Sequence, residues 1–193
     1  MKEIADGIFH WTARHPNIGI EVSSYWLPGP GVLIDPLQVP DDVDAVEEIV
    51  LTNRHHRRGS FEARERFGTS RVRVPRTGLH EFDLGDPVEP YDFGDRLAGG
   101  EVIVHEVGVI CPDEAALHVP SVKALAVADG VVHYDGLRFV PDHLLDDPED
   151  TKRGLKEVYA RLADQLEFEH LLTAHGPPVA GSGREDLRAF AAS

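Results

Sequence analysis

Four short apolar runs constrain the fold most, because each one stops on a polar residue. Val32-Leu33-Ile34 ends at Asp35-Pro36, and Glu48 to Thr52 runs into Asn53. Ala124 to Ala128 ends at Asp129-Gly130, and Glu169 to Thr173 leads into Ala174-His175-Gly176-Pro177-Pro178. Runs of this length, rich in β-branched residues and bounded by turn formers, read as buried strands. Proline at position 36 disfavours helix at Asp35, so the first run must stop there. Ser60 to Phe67 reads as a helix with Ser60 as its cap and Gly68 as its stop, and Arg71 to Val74 as the next strand. Strand, loop, helix, strand is the rhythm of an α/β sheet, whose ligands gather at the C-terminal ends of strands.

The remaining chain extends this pattern. Gly7 to Thr12, Ile18 to Leu27, Glu101 to Val107 and Ala115 to Val119 read as further strands, and Asp41 to Glu48 as a short helix. Gly85 to Gly100 reads as a loop-rich hairpin region. Leu155, Val158, Tyr159 and Leu162 share one face of a helix over Glu149 to Gln165, and Gly183 to Ala192 closes the chain as a helix. A length of 193 residues without repeat or linker predicts one domain, 1–193. The alternation predicts two mixed sheets packed face to face, with helices on both outer faces.

Composition narrows the function. With 34 acidic and 19 basic residues the net charge is −15, a field that repels nucleic acid and anionic membranes. One cysteine, Cys111, allows no internal disulfide, and no run approaches the roughly 20 apolar residues of a membrane span. With no secretory signal at the N-terminus, the expected location is cytoplasmic.

Three segments hold candidate chemistry. Thr52-Asn53-Arg54-His55-His56-Arg57-Arg58-Gly59 follows a buried strand and reads either as a ligand-bearing loop or as a solvated basic surface. Adjacent histidines in an extended segment point apart, so His55 and His56 are not expected to share an ion. His175, between a strand and a Gly-Pro-Pro turn, is either a ligand or acid–base group or a strand-end cap. Asp129 before Gly130 is either a turn former or a metal-bridging carboxylate.

Taken in order, these pieces resemble the metallo-β-lactamase superfamily over nearly the whole chain, most specifically at Gly31 to Asp35, Leu51 to Gly59 and Leu171 to Pro178. The resemblance implies an αββα sandwich with one or two metal ions at one edge of the sheets. The ions activate a water for attack on an ester, thioester, amide or phosphodiester. It also implies that Asp35, Asn53, His55, Asp129 and His175 gather at that edge.

The departures from the family pattern carry equal weight. The family's loop reads H-x-H-x-D-H after Leu-Thr, and the matching positions here are Asn53, His55, Arg57 and Arg58. Arginine offers no lone pair to a cation. The family's next histidine falls at or beside Ile110, with Cys111, Asp113 or Glu114 as substitutes. The resemblance thus leaves His55, Asp129 and His175 as ligands of at most one zinc or other divalent ion, with Asp129 and His175 catalytic. Asn53, Arg57 and Arg58 are the expected substrate-binding residues. A fixed charge some 4 Å from another costs on the order of 4 kcal/mol at an effective dielectric of about 20, and a divalent ion doubles it. Inward-pointing arginines therefore oppose a metal. Two readings follow: a hydrolase of small ester-like or phosphate-containing substrates, or a metal-free, non-catalytic protein whose cleft binds an anionic ligand or a partner protein.

Overall fold

The seven strands of the N-terminal half pair in chain order, each beside the next. β1 (Lys2–Ala5), β2 (Ile8–Arg14), β3 (Glu21–Leu27) and β4 (Val32–Ile34) are antiparallel, and β5 (Glu48–Val50), β6 (Arg71–Pro75) and β7 (Val88–Tyr91) continue parallel. The second sheet runs β14-β11-β10-β9-β8, from β8 (Arg96–Leu97), β9 (Val102–Glu106), β10 (Ala115–Val119), β11 (Ala124–Val127) and β14 (His170–Thr173), with only the β11–β14 pair parallel. A small ribbon, β12 (Val132–His133) with β13 (Leu137–Arg138), stands apart. This computed structural model describes residues 1–68 and 71–193.

Strand alternation sorts the apolar side chains into layers. Val32 and Ile34 face the second sheet and meet Leu117, Val119, Ala126 and Leu172 in the central core. Leu33 points the other way and packs with Trp26, Ile49, Val72 and Ala63 of helix α1 (Ser60–Phe67). On the far side, Leu125, Val127 and Leu171 pack against Leu155, Tyr159 and Leu162 of α2 (Pro148–Gln165) and Leu187 and Phe190 of α3 (Gly183–Ala192). The result is the four-layer αββα sandwich that the alternation of strands and helices predicts. Among the described residues no helix is long and apolar enough to cross a membrane.

Three local expectations are corrected. Asp41 to Glu48 is not a helix: Ala45 has φ 48, and the amides of Glu47 and Glu48 both donate to Gly31 O, laying β5 beside β4. Ser60 does not cap α1; Gly59 holds that position, where a larger residue would press on Pro36 O, and the Ser60 hydroxyl is buried without a partner. The Gly85 to Gly100 region is not a hairpin, since its two strands, β7 and β8, join different sheets.

Candidate functional site

The two sheets are stitched together at one edge, beyond the ends of β4, β5, β11 and β14. Ser23 N donates to Ala174 O at 2.9 Å, Ala115 N to Thr52 O at 2.9 Å, and the Tyr25 hydroxyl to Thr173 O at 2.8 Å. These cross-links fix the polar residues that follow each strand into one cluster.

Asp35 is the base of that cluster. It is buried, and it accepts from Thr52 N (2.9 Å), the Thr52 hydroxyl (2.6 Å) and His56 Nδ1 (2.8 Å). Burial opposes its ionisation, but the charge and hydrogen bond of His56, followed by Arg58 and Thr52, outweigh it and lower its pKa. The opposite nitrogen of His56, Nε2, lies 3.3 Å from Asp129 Oδ1, and His175 Nε2 lies 2.9 Å from the same oxygen. The other Asp129 oxygen accepts from Asn53 Nδ2 at 2.8 Å. Burial disfavours the charge of Asp129 as well, yet His56 and His175 hold its pKa well below the carboxylate range. For His56, burial and Arg58 pull the pKa down while Asp35 and Asp129 push it up, and the net result is about 9.

The structure brings together His56, Asp129 and His175, whose donor atoms all lie within 4.8 Å of one another. Among the described residues this is the one such group. His55, expected as a ligand, is exposed and stays outside it. The cause is a 3₁₀ turn over Arg54–Arg57, capped by the Asn53 side chain, which accepts from the amides of His55 (3.0 Å) and His56 (3.1 Å). Three residues per turn return His56, not His55, to the side of Asn53 and the strand ends. Asn53, expected to bind substrate, is fully buried in this capping role and in its bond to Asp129.

The arginines separate. Arg57 lies outside, its guanidinium 4.6 Å from the centre of the Phe61 ring and 4.0 Å from Asp86. Arg58, at φ 40, turns inward, donating to Ser23 O (2.8 Å) and Asp35 O (3.1 Å), with Ala174 O at 3.5 Å. Its guanidinium, expected to bind substrate, is engaged with these backbone carbonyls, and its charge lowers the pKa of Asp35. The turn before β10 supplies no ligand either. Asp113 is taken by the Arg54 guanidinium and amide, Glu114 accepts from Gly130 N at 2.7 Å, and burial raises the Cys111 thiol to about 12.

The cluster fits one ion. Donors bound at about 2.0–2.2 Å in a tetrahedral shell lie about 3.3–3.5 Å apart, close to the spacings on Asp129 Oδ1. The His56–Asp35 bond is the carboxylate support that orients a metal-bound imidazole. The opposite ring nitrogen of His175, Nδ1, is buried without a hydrogen-bond partner, so His175 lacks the support that Asp35 gives His56.

Asp129 and His175 open onto a groove of about 1120 Å³ lined mainly by apolar side chains from Ile18 to Ile20, Val132 to Leu144 and Ile110. Sequence reasoning missed this groove, since its walls come from segments more than 110 residues apart.

No protein-family model matches the chain, and no curated protein matches it by sequence. Solved structures do match. The metallo-β-lactamase from Pontibacter korlensis superposes with a TM-score of 0.71 at 18% identity, covering 100% of this chain and 98% of that one. DIM-1 metallo-β-lactamase gives 0.70 at 14% identity, covering 99% and 95%. The rubredoxin oxygen:oxidoreductase of Desulfovibrio gigas gives 0.66 at 15% identity; the chain is covered to 99% but spans 61% of that protein. On this likeness and the layer order above, the chain has the metallo-β-lactamase fold.

Proposed function

We propose that this protein is a mononuclear metal-dependent hydrolase of ester-like substrates, with a divalent ion held by His56, Asp129 and His175. The convergence of those three donors, with His56 backed by buried Asp35, carries the reading. The fold alone does not select a reaction, since it serves both a lactamase and an oxygen reductase among the matched structures.

A bound divalent ion supplies Lewis acidity and lowers the pKa of a coordinated water toward about 7. The residues provide its setting. Asn53 holds one oxygen of Asp129 so that the other faces the two imidazoles. Asp35 fixes the ring of His56 through Nδ1. In the hydrolysis, the water oxygen bonds to the acyl carbon and the bond from that carbon to the leaving group breaks. One water proton goes to the leaving group and the other to solvent with the carboxylate product.

A phosphate-containing substrate fits less well. Arg58 spends its donors on backbone carbonyls, Arg54 is paired with Asp113, and Lys152 with Asp142 at 2.6 Å. An ester-like neutral substrate asks for no free cation.

One observation favours the second reading, a metal-free protein that binds an anionic ligand or a partner. With His56 protonated, Asp35, Asp129, His56 and Arg58 already sum to zero charge, so a cation must displace the His56 proton. Hydrolysis of p-nitrophenyl acetate separates the two. The proposal expects activity that a chelator abolishes, that zinc restores, and that His175→Ala lacks. Chelator-insensitive activity, or none in zinc-loaded protein, overturns it.

A further inference from the structure

The groove beside Asp129 and His175 is walled mainly by apolar side chains. Six large hydrophobic side chains are exposed among the described residues, and four of them line this one groove: Ile18 (57%), Ile20 (44%), Tyr134 (42%) and Leu144 (63%). Isolated apolar residues on a surface need no explanation, but clustering on a concave wall marks a binding site. Ile110 and Phe139 continue the apolar lining inward. The walls are the hairpin turn between β2 and β3 on one side and the segment from β12 to Leu144 on the other.

Of the charged side chains that line the groove, Lys152 is paired with Asp142, Glu21 is exposed, and the exposed Arg138 guanidinium donates to Asp135 O at 3.4 Å. The groove is continuous with the cluster, since Asp129 and His175 form part of its wall. An apolar ligand lying in it therefore also meets those two residues.

We infer that the substrate is a neutral acyl compound, an ester, thioester or amide, with a long apolar acyl chain lying against Ile18, Ile20, Tyr134 and Leu144 and its carbonyl at Asp129 and His175. This rests on the hydrolase reading for the carbonyl end only. Chain recognition belongs to the groove and is independent of any ion.

Methyl ketones carry the same neutral carbonyl and cannot be hydrolysed. Calorimetric titration of the protein as purified with butanone, hexanone, octanone and decanone tests the groove directly. Each buried methylene is expected to tighten binding roughly threefold, so each two-carbon step gives about tenfold. The triple variant Ile18→Ser, Ile20→Ser, Leu144→Ser, altered only at exposed positions, should weaken decanone at least tenfold and leave butanone and zinc binding unchanged. Affinity that does not rise with chain length, or a triple variant that binds decanone as the parent does, overturns the inference. So does a parent that sediments as a dimer and a triple variant that sediments as a monomer, which would assign the groove to a second copy of the chain. If zinc fails to bind while the ketone series rises, the hydrolase reading falls and the apolar groove stands.

Discussion

Replacing Glu114 by glutamine removes a charge that the folded chain holds poorly. Glu114 is buried, with one oxygen on Gly130 N and the other without a partner. Burial, then the neighbouring charge of Asp129, raises its pKa from 4.5 to about 8. Between those two values the folded chain binds a proton that the unfolded chain has released. Its contribution to stability is therefore intact below pH 4.5 and declines as pH rises to 8, by up to about 1.4 kcal/mol per pH unit. Over the whole window the loss is about 5 kcal/mol, of which roughly 3 kcal/mol is already incurred at pH 7. Glutamine keeps an acceptor for Gly130 and carries no charge at any pH. The advantage of Glu114→Gln over the parent should thus grow from near zero at acid pH to several kcal/mol at pH 8. Urea denaturation of both proteins at pH 5, 6, 7 and 8, with chelator present so that no cation biases Asp129, measures it. Parallel stability profiles across that range would refute the reasoning.

Other changes probe the surrounding network. Asp35→Asn withdraws the anionic support of His56 and should lower zinc affinity about tenfold to a hundredfold, read by competition with a chromophoric chelator. Arg58→Met takes a donor from the carbonyls of Ser23 and Asp35, the latter keeping the Ser24 hydroxyl at 2.8 Å, and removes one of the two cations beside the Asp35 carboxylate; urea denaturation should show a loss of about 3 kcal/mol. Gly130→Ala places a methyl group against the Tyr159 hydroxyl, which has no hydrogen-bond partner. That substitution should destabilise by about 1–3 kcal/mol in thermal melts, and Tyr159→Phe, itself neutral or stabilising, should recover part of it.

Much of the fold is legible in the sequence because its strands are short, apolar and punctuated. The runs 32–34, 115–119 and 183–192 coincide with β4, β10 and α3. The helix expected over Asp41 to Glu48 fails where the amides of Glu47 and Glu48 are used by Gly31 O, a long-range contact that local propensity does not contain. Within the site, Asp129 and His175 are legible because each directly follows a buried strand. The family spacing points to His55, whereas the structure gathers His56 with Asp129 and His175. Asn53 carries the missing signal: an asparagine is a strong cap, and a capped 3₁₀ turn shifts the inward position by one residue. Arg58 was legible as a charge near the cleft, but its three carbonyl partners come from separate strand ends.

The register of that turn and the presence of an ion are tested together by zinc titration of the parent, His55→Ala and His56→Ala, with stoichiometry measured by elemental analysis after dialysis. The account predicts one zinc per chain in the parent and in His55→Ala, and none retained in His56→Ala. A parent that retains no zinc or two ions, or a His55→Ala variant that loses its ion while His56→Ala keeps it, would contradict the account.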